Sequence, residues 1–247
     1  SGGASVTFTS THDSDKTGYG MADSITATYS GETDGGLTIT TSLELDGGAN
    51  ASSSFDNRSI SIASDDMGTI TFSGHGGDTV MSGFDDMMPT AYEEVFAITK
   101  NKSDAATGAG NLVIAGQSGN NTWRYDSPTI SGVTVKAAYV NHVAVGAESY
   151  MDFAVSVSPE MVEGLTLGFA SADHTIESTR EQEETTMYAT YATGGFTFGV
   201  QSSDLDHTTA NSDQESIAYG ITYAVNDDLS IGYSYHELET ELTTDQD

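Results

Sequence analysis

Residues 68–94 read GTITFSGHGGDTVMSGFDDMMPTAYEE. The first eight residues alternate apolar with small polar side chains, which is the period of a β-strand that has one apolar face. An acidic, glycine-containing segment follows, and strand alternation returns only near NTWRYDSP at 121–128. Connections of this length are uncommon inside a compact domain and are usually either functional or disordered. The segment 76–120 is therefore the first candidate for a functional loop.

The same alternation runs through the rest of the chain, without a long helical period. It predicts thirteen strands, at 4–10, 24–31, 37–46, 57–64, 68–75, 121–127, 133–141, 149–158, 165–174, 183–193, 196–205, 215–225 and 229–238. Within a strand one parity is apolar, as in Phe196 and Phe198, and the other is small and polar, as in Thr38 and Thr40. The sequence thus predicts an all-β protein that forms a single domain over residues 1–247.

The connections between the predicted strands alternate in length. Short turns at 32–36, 65–67, 194–195 and 226–228 interleave with longer acidic loops. A soluble β-sandwich gives no reason for a short turn at every second connection, whereas a transmembrane barrel has short turns at one end and long loops at the other. The apolar parity would then face lipid and the small polar parity would line water. The pattern predicts a transmembrane antiparallel β-barrel.

The composition narrows the function. Lys and Arg number 7 against 37 Asp and Glu, so the formal charge is −30 and nucleic acid is not an expected partner. Cysteine is absent, which excludes disulfides, thiolate zinc sites and cysteine nucleophiles. The chain also has no GxSxG, HExxH or GxxxxGK[ST] motif. We therefore expect a protein that is not an enzyme and that attracts cations.

Three stretches resemble general bacterial porins of the Gram-negative outer membrane, in particular the alphaproteobacterial type. They are DSITATYSGETDGGLTITTSLEL at 23–45, GTITFSG at 68–74 leading into GFDDMMP at 83–89, and NTWRYDSPTISGVTVKAAY at 121–139. The resemblance implies a sixteen-stranded barrel, usually a homotrimer, that lies among outer-membrane lipid and lipopolysaccharide. It also implies passive diffusion of small hydrophilic solutes through a lumen narrowed by the third loop, here 76–120. Thirteen strands do not close such a barrel, so we expect its closing C-terminal strands to be missing from this chain.

The resemblance also implies a pore constriction at which acidic loop residues oppose basic residues of the wall. On the loop the candidates are Asp85, Asp86, Glu93 and Glu94. On the wall, the parity that points Trp123 outward points Arg124 inward, and the parity of Val135 points Lys136 inward. Because diffusion channels select by width and by charge, these six residues are the predicted site. The acidic excess predicts cation preference.

Divalent cations are the only cofactors that the sequence suggests. Ca²⁺ and Mg²⁺ prefer several oxygen ligands, and acidic groups occur at the predicted outer loops. The candidate ligands are Asp13 and Asp15, Glu183 and Glu184, and Asp204 and Asp206. Their spacing matches no EF-hand, and a diffuse acidic surface without fixed sites explains them as well.

Two other classes of protein remain open at this point. An acidic extracellular β-rich structural or surface-layer protein would also alternate along its strands and carry a strong negative charge. A barrel that serves chiefly as an adhesion or receptor surface through its outer loops is a further alternative. A diffusion channel in the cell outer membrane is the function that the loop pattern favours.

Overall fold

The computed structural model describes residues 1–10, 17–46, 56–90, 114, 116–141, 149–177, 180–207 and 213–240. Thirteen strands form one antiparallel sheet, and two further two-residue strands form a small second sheet. The strands are β1 (Gly2–Ser10), β2 (Thr17–Glu32), β3 (Thr38–Asp46), β4 (Asn57–Ser64), β5 (Gly68–His75), β6 (Gly77–Asp78), β7 (Ser118–Gly119), β8 (Thr122–Asp126), β9 (Val133–Val140), β10 (Tyr150–Val157), β11 (Leu165–Glu177), β12 (Arg180–Thr193), β13 (Phe196–His207), β14 (Gln214–Asn226) and β15 (Leu229–Thr240).

The large sheet is a simple meander in which each strand pairs with its neighbours along the chain. β5 pairs directly with β8, so the third loop leaves the sheet and returns to it without adding a strand. In the part of the chain that the structure describes, β1 and β15 are the two edges. The predicted thirteen strands are confirmed, whereas the predicted total of sixteen stays a prediction. No helix among the described residues is long and apolar enough to cross a membrane.

The short turns lie where the sequence predicts them. The β12–β13 turn consists of Gly194 and Gly195, whose φ angles are 57° and 85°. Two successive residues with positive φ give the tight turn whose twist matches that of the flanking strands, and glycine adopts this conformation without a steric penalty. Short turns also join β2 to β3, β4 to β5 and β14 to β15. One end of the sheet is therefore closed by short connections.

The two faces of the sheet differ as predicted. Large apolar side chains of the outer face are exposed, including Tyr29, Ile60, Trp123, Phe153, Phe198, Val200, Tyr219 and Tyr233. Inward positions alternate with them and are less exposed, as along β4, where Ser59 and Ser61 alternate with Ile60 and Ile62. A continuous apolar surface of this extent is unfavourable in water and is typical of a barrel wall in lipid.

Several strands extend farther than the sequence predicts, and the longest extensions are at the end with the longer loops. β2 begins at Thr17 rather than at 24, and β12 begins at Arg180 rather than at 183. Antiparallel pairing satisfies backbone hydrogen bonds in water as well as in lipid, so a ladder continues after the apolar alternation has stopped. Hydrophobic periodicity therefore reports the apolar part of a strand and not its full length.

Candidate functional site

The described residues of the third loop, 76–90, 114 and 116–120, fold back onto the inner face of the sheet. Its two ends pair as β6 and β7, with Gly77 opposite Gly119 and Asp78 opposite Ser118. The backbone N–H of Thr79 donates to the Gln117 carbonyl at 3.2 Å, and the Gln117 N–H donates to the Thr79 hydroxyl at 2.9 Å. These bonds close the base of the loop. From this base, residues 80–90 cross the inner wall of the sheet.

Asp152, which points inward from β10, holds the first part of the loop. Its Oδ2 accepts the Met81 N–H at 2.7 Å and the Tyr150 hydroxyl at 3.0 Å. Asp152, Met81 and Tyr150 are all at most 1% exposed. A buried donor that loses its acceptor is costly. Asp152 is therefore an anchor of the loop.

Gln201, which points inward from β13, holds the second part. Its amide Nε2 donates to the Phe84 carbonyl at 2.7 Å and to the Thr186 hydroxyl at 3.0 Å, while its Oε1 accepts the Met87 N–H at 2.8 Å. The side chain thus satisfies one donor and one acceptor of the loop backbone. Because the amide is 3% exposed, water does not replace these bonds readily.

An apolar contact lies between the loop and the wall, and it forms the hydrophobic core of the described chain. The loop contributes Val80, Met81, Phe84, Met88 and Ile114. Small side chains of the wall lie opposite them, among them Ala138, Ala154, Ala170, Ala172 and Ala218. The inner parity was predicted to be small and polar throughout, and this is wrong beneath the loop. Alanine is small enough to leave room for the apolar side chains of the loop. Serine or threonine in its place would bury a hydroxyl that has no hydrogen-bond partner.

The returning part of the loop makes one further contact with the wall. The Gly116 N–H donates to Oε2 of Glu184, which points inward from β12. Gly116 has a φ of 63°, and a Cβ there would lie 2.5 Å from the Ser82 backbone nitrogen. Only glycine fits this close approach of two loop segments. The loop is consequently attached at its base, at Asp152, at Gln201 and at Glu184.

Arg124 and Lys136 point inward, as predicted, but they share an acidic partner. The Arg124 guanidinium donates to both oxygens of Asp126, at 2.9 and 3.0 Å. Lys136 Nζ lies 3.7 Å from Asp126 Oδ1. All three side chains are about one-third exposed, so they face space that water reaches. Arg124, Lys136 and Asp126 form a wall triad that carries one net positive charge.

A family model described as Gram-negative porin matches residues 1–247. The chain belongs to the Gram-negative porin family. No curated protein sequence matches it significantly. This family consists of outer-membrane channels, so the porin described here is a channel-forming transmembrane β-barrel of the outer membrane.

Solved structures with the same fold are distant in sequence. The anion-selective porin of Comamonas acidovorans has a TM-score of 0.65 and 14% identity, over 98% of this porin and 80% of that chain. OmpF of Salmonella typhi, solved with daunomycin, has a TM-score of 0.64 and 13% identity, over 97% and 77%. OmpT of Vibrio cholerae has a TM-score of 0.62 and 16% identity, over 97% and 73%.

The loop carboxylates of the predicted constriction lie only partly within the described residues. Glu93 and Glu94 lie outside them. Asp85 and Asp86 organise the local backbone, since Asp85 Oδ1 accepts the Asp86 N–H and Asp86 Oδ1 accepts the Met88 N–H, each at 2.9 Å. Asp86 also interacts electrostatically with His236 on β15. The opposition of these loop carboxylates to Arg124 and Lys136 stays a prediction.

The predicted divalent-cation ligands do not form one cluster. Glu183 and Glu184 were candidate ligands of one cation, and this pairing is wrong. Both belong to β12, where Glu183 points outward and Glu184 is buried inward, because successive residues of a strand face opposite sides. Asp204 and Asp206 lie on β13 rather than in a loop, and both point outward. Asp13 and Asp15 lie outside the described residues. Within those residues no group of three or more His, Asp or Glu side chains is arranged to hold a metal ion.

The residues that sequence reasoning missed are the partners of the loop. Asp126 lies between two predicted bases and neutralises one of them. Gln201 carries no signal in the sequence, since an inward polar residue is expected at any such position. Asp152, in contrast, is recognisable from the sequence. It is a carboxylate at an inward position in the middle of a strand, and a buried charge needs a specific partner.

Proposed function

We propose that this porin forms a water-filled channel for passive diffusion of small hydrophilic solutes and ions, that the third loop narrows it, and that it prefers cations. The observation that carries the proposal is the attachment of the loop to the inner face of a sheet whose outer face is apolar. Polar backbone is tolerated at membrane depth only where protein or a water-filled cavity surrounds it. A loop fixed there restricts the width through which solutes diffuse.

Proteoliposome swelling tests diffusion directly. Vesicles that contain the purified porin should swell in isotonic solutions of small sugars and amino acids, and the rate should fall steeply as the solute becomes larger. Vesicles without protein are the control. A swelling rate equal to that of empty vesicles for every solute would contradict the proposal.

Cation preference follows from the balance of charge. The sequence has 37 acidic and 7 basic residues, and outside the wall triad Glu44 is an inward-pointing carboxylate that is partly exposed. The wall triad offsets this field by only one positive charge. A protein with so large an excess of negative charge concentrates cations around its channel and repels anions. The Comamonas porin is named as anion-selective, but at 14% identity only its fold bears on this chain.

Two substitutions in the wall triad should shift the selectivity in opposite directions. Arg124→Ala removes the net positive charge and should raise the ratio of potassium to chloride permeability roughly twofold. Asp126→Asn leaves Arg124 and Lys136 without their carboxylate and should lower the ratio by a similar factor. Reversal potentials in a salt gradient measure both. Shifts of the same sign would show that the triad does not act through its charge.

We also propose that the porin is a homotrimer surrounded by outer-membrane lipid and lipopolysaccharide. The exposed apolar face of the sheet supports contact with lipid or with a second copy. Glu183, Asp204 and Asp206 also point outward, but they lie at the end of the strands that carries the longer loops, outside the apolar part of the face. Divalent cations would link these carboxylates to lipid phosphates there. Light scattering that gives three chains per particle in detergent supports the trimer, and one chain per particle contradicts it.

A further inference from the structure

Two glycines face each other on the inner wall at the place where the described part of the third loop ends. Gly199 of β13 pairs directly with Gly220 of β14. Glycine inside a strand costs roughly 0.5–1 kcal/mol and offers no side chain for packing. An interior glycine in a strand therefore often marks a site where another part of the chain approaches closely.

Pro89 of the third loop is the group that approaches. A Cβ at position 199 would lie 2.5 Å from Pro89 Cδ and 3.1 Å from Met88 Sδ. A Cβ at position 220 would lie 2.5 Å from the Pro89 carbonyl oxygen and 3.3 Å from its Cδ. Real Cβ atoms essentially never approach other atoms this closely, so any larger residue at either position must displace the loop.

The pair belongs to the attachment that Gln201 begins. Gln201 and Gly199 both point inward from β13, and they contact Met87 and Met88–Pro89 in turn. The loop therefore lies along β13, and its last described residues contact the wall at the two glycines. The ring of proline fixes φ, so Pro89 cannot absorb a displacement by rotating about this angle. A shift at Pro89 therefore moves the neighbouring backbone with it.

We propose that Gly199 and Gly220 form a glycine shelf that receives Pro89 and thereby sets how far the third loop projects into the channel. The two glycines are then size-determining positions, although neither carries a side chain. The inference rests on the proposed diffusion function for its effect on solutes, and on the contacts alone for its effect on the loop.

The first test is alanine substitution with a matched control. Gly199→Ala and Gly220→Ala each require a displacement of about 1 Å to restore ordinary carbon contacts. Moving the loop away from the wall narrows the channel, and we expect single-channel conductance to fall roughly 1.5-fold. Gly3→Ala, on a strand with no atom within 4 Å of the new methyl group, should conduct like the wild type. Unchanged conductance in both shelf variants would overturn the proposal.

A second substitution separates the two contacts. Pro89→Ala removes Cδ, the atom nearest to position 199, but keeps the carbonyl oxygen that is nearest to position 220. It should therefore restore conductance in Gly199→Ala and leave Gly220→Ala impaired. Equal rescue of both variants, or of neither, would show that the contacts described here do not position the loop.

A third measurement does not depend on conduction. The chain has no cysteine, so Met88→Cys introduces a single thiol at a side chain that is 6% exposed. A water-soluble maleimide should label it slowly, and adding Gly220→Ala should accelerate labelling roughly tenfold as the segment leaves the wall. An unchanged rate would overturn the shelf. Faster labelling in a protein that shows no conductance would support the shelf while rejecting the proposed diffusion function.

Discussion

Replacing Asp152 with alanine should release the first part of the third loop from the wall. The substitution removes the acceptor of the buried Met81 N–H and of the Tyr150 hydroxyl. A buried donor left without its acceptor costs about 1–3 kcal/mol, so the loss of both bonds should weaken the attachment by roughly 2–5 kcal/mol. Single-channel recording should then show a larger conductance with increased open-channel noise, because the loop no longer occupies one fixed position.

Asp152→Asn is the matched control. Asparagine has nearly the same shape and keeps an oxygen that accepts both bonds, but it carries no charge. A wild-type conductance in this variant together with a raised conductance in Asp152→Ala attributes the effect to anchoring. If both variants raise the conductance equally, the two hydrogen bonds to Asp152 do not hold the loop, and the anchor is contradicted.

Arginine on the outer face of the sheet should destabilise the porin in the membrane. Ile60 is 44% exposed and points outward from the middle of β4, whereas its neighbour Ser61 points inward. Arginine at the lipid-facing midplane of a barrel costs about 2–4 kcal/mol, and substitutions that face the lumen affect selectivity rather than stability. Ile60→Arg should therefore lower the free energy of unfolding by about 2–4 kcal/mol.

Denaturant titration in lipid vesicles measures this difference, with Ser61→Arg as the control on the adjacent residue. We expect Ser61→Arg to change the free energy of unfolding by less than about 0.5 kcal/mol. The two substitutions differ only in the face on which the guanidinium lies. A larger loss for Ser61→Arg would place the apolar face inside a soluble core and would contradict the barrel.

Most of the fold follows from the two-residue period of the sequence. Phe196 and Phe198, or Ser59 and Ser61, fall on the faces that their parity predicts, because a pleated strand leaves no other choice. The short turns are equally predictable, since Gly194-Gly195 between two alternating stretches has few other conformations. The bounds of the third loop were also predictable, because the two-residue alternation ends where the loop begins and resumes where it ends.

The contacts of the third loop were not predictable, and the reason is physical. An irregular segment has no period, so nothing in VMSGFDDMM indicates that Val80, Met81 and Phe84 point towards the wall. The alanines opposite them fit either a polar or an apolar face. Long-range pairs such as Gln201 with Phe84, 117 residues apart, depend on how the curvature of the whole sheet brings β13 opposite the loop.

The sequence predicts which way the basic side chains of the site point, but not which carboxylate pairs with them. Parity correctly points Arg124 and Lys136 inward, but it does not reveal that Asp126, two residues after Arg124, points the same way and pairs with both. Glu183 and Glu184 show the opposite error. Adjacent carboxylates suggest a shared ligand site in a loop, and the strand separates them onto two faces.

The reversal potential of the porin in a planar bilayer across a gradient of potassium chloride tests the central claim most directly. The account predicts discrete conductance steps and a reversal potential of the sign given by cation permeation, because the net charge of −30 on the chain outweighs the single net positive charge of the wall triad. A reversal potential of the opposite sign, or a bilayer that shows no steps, would contradict it.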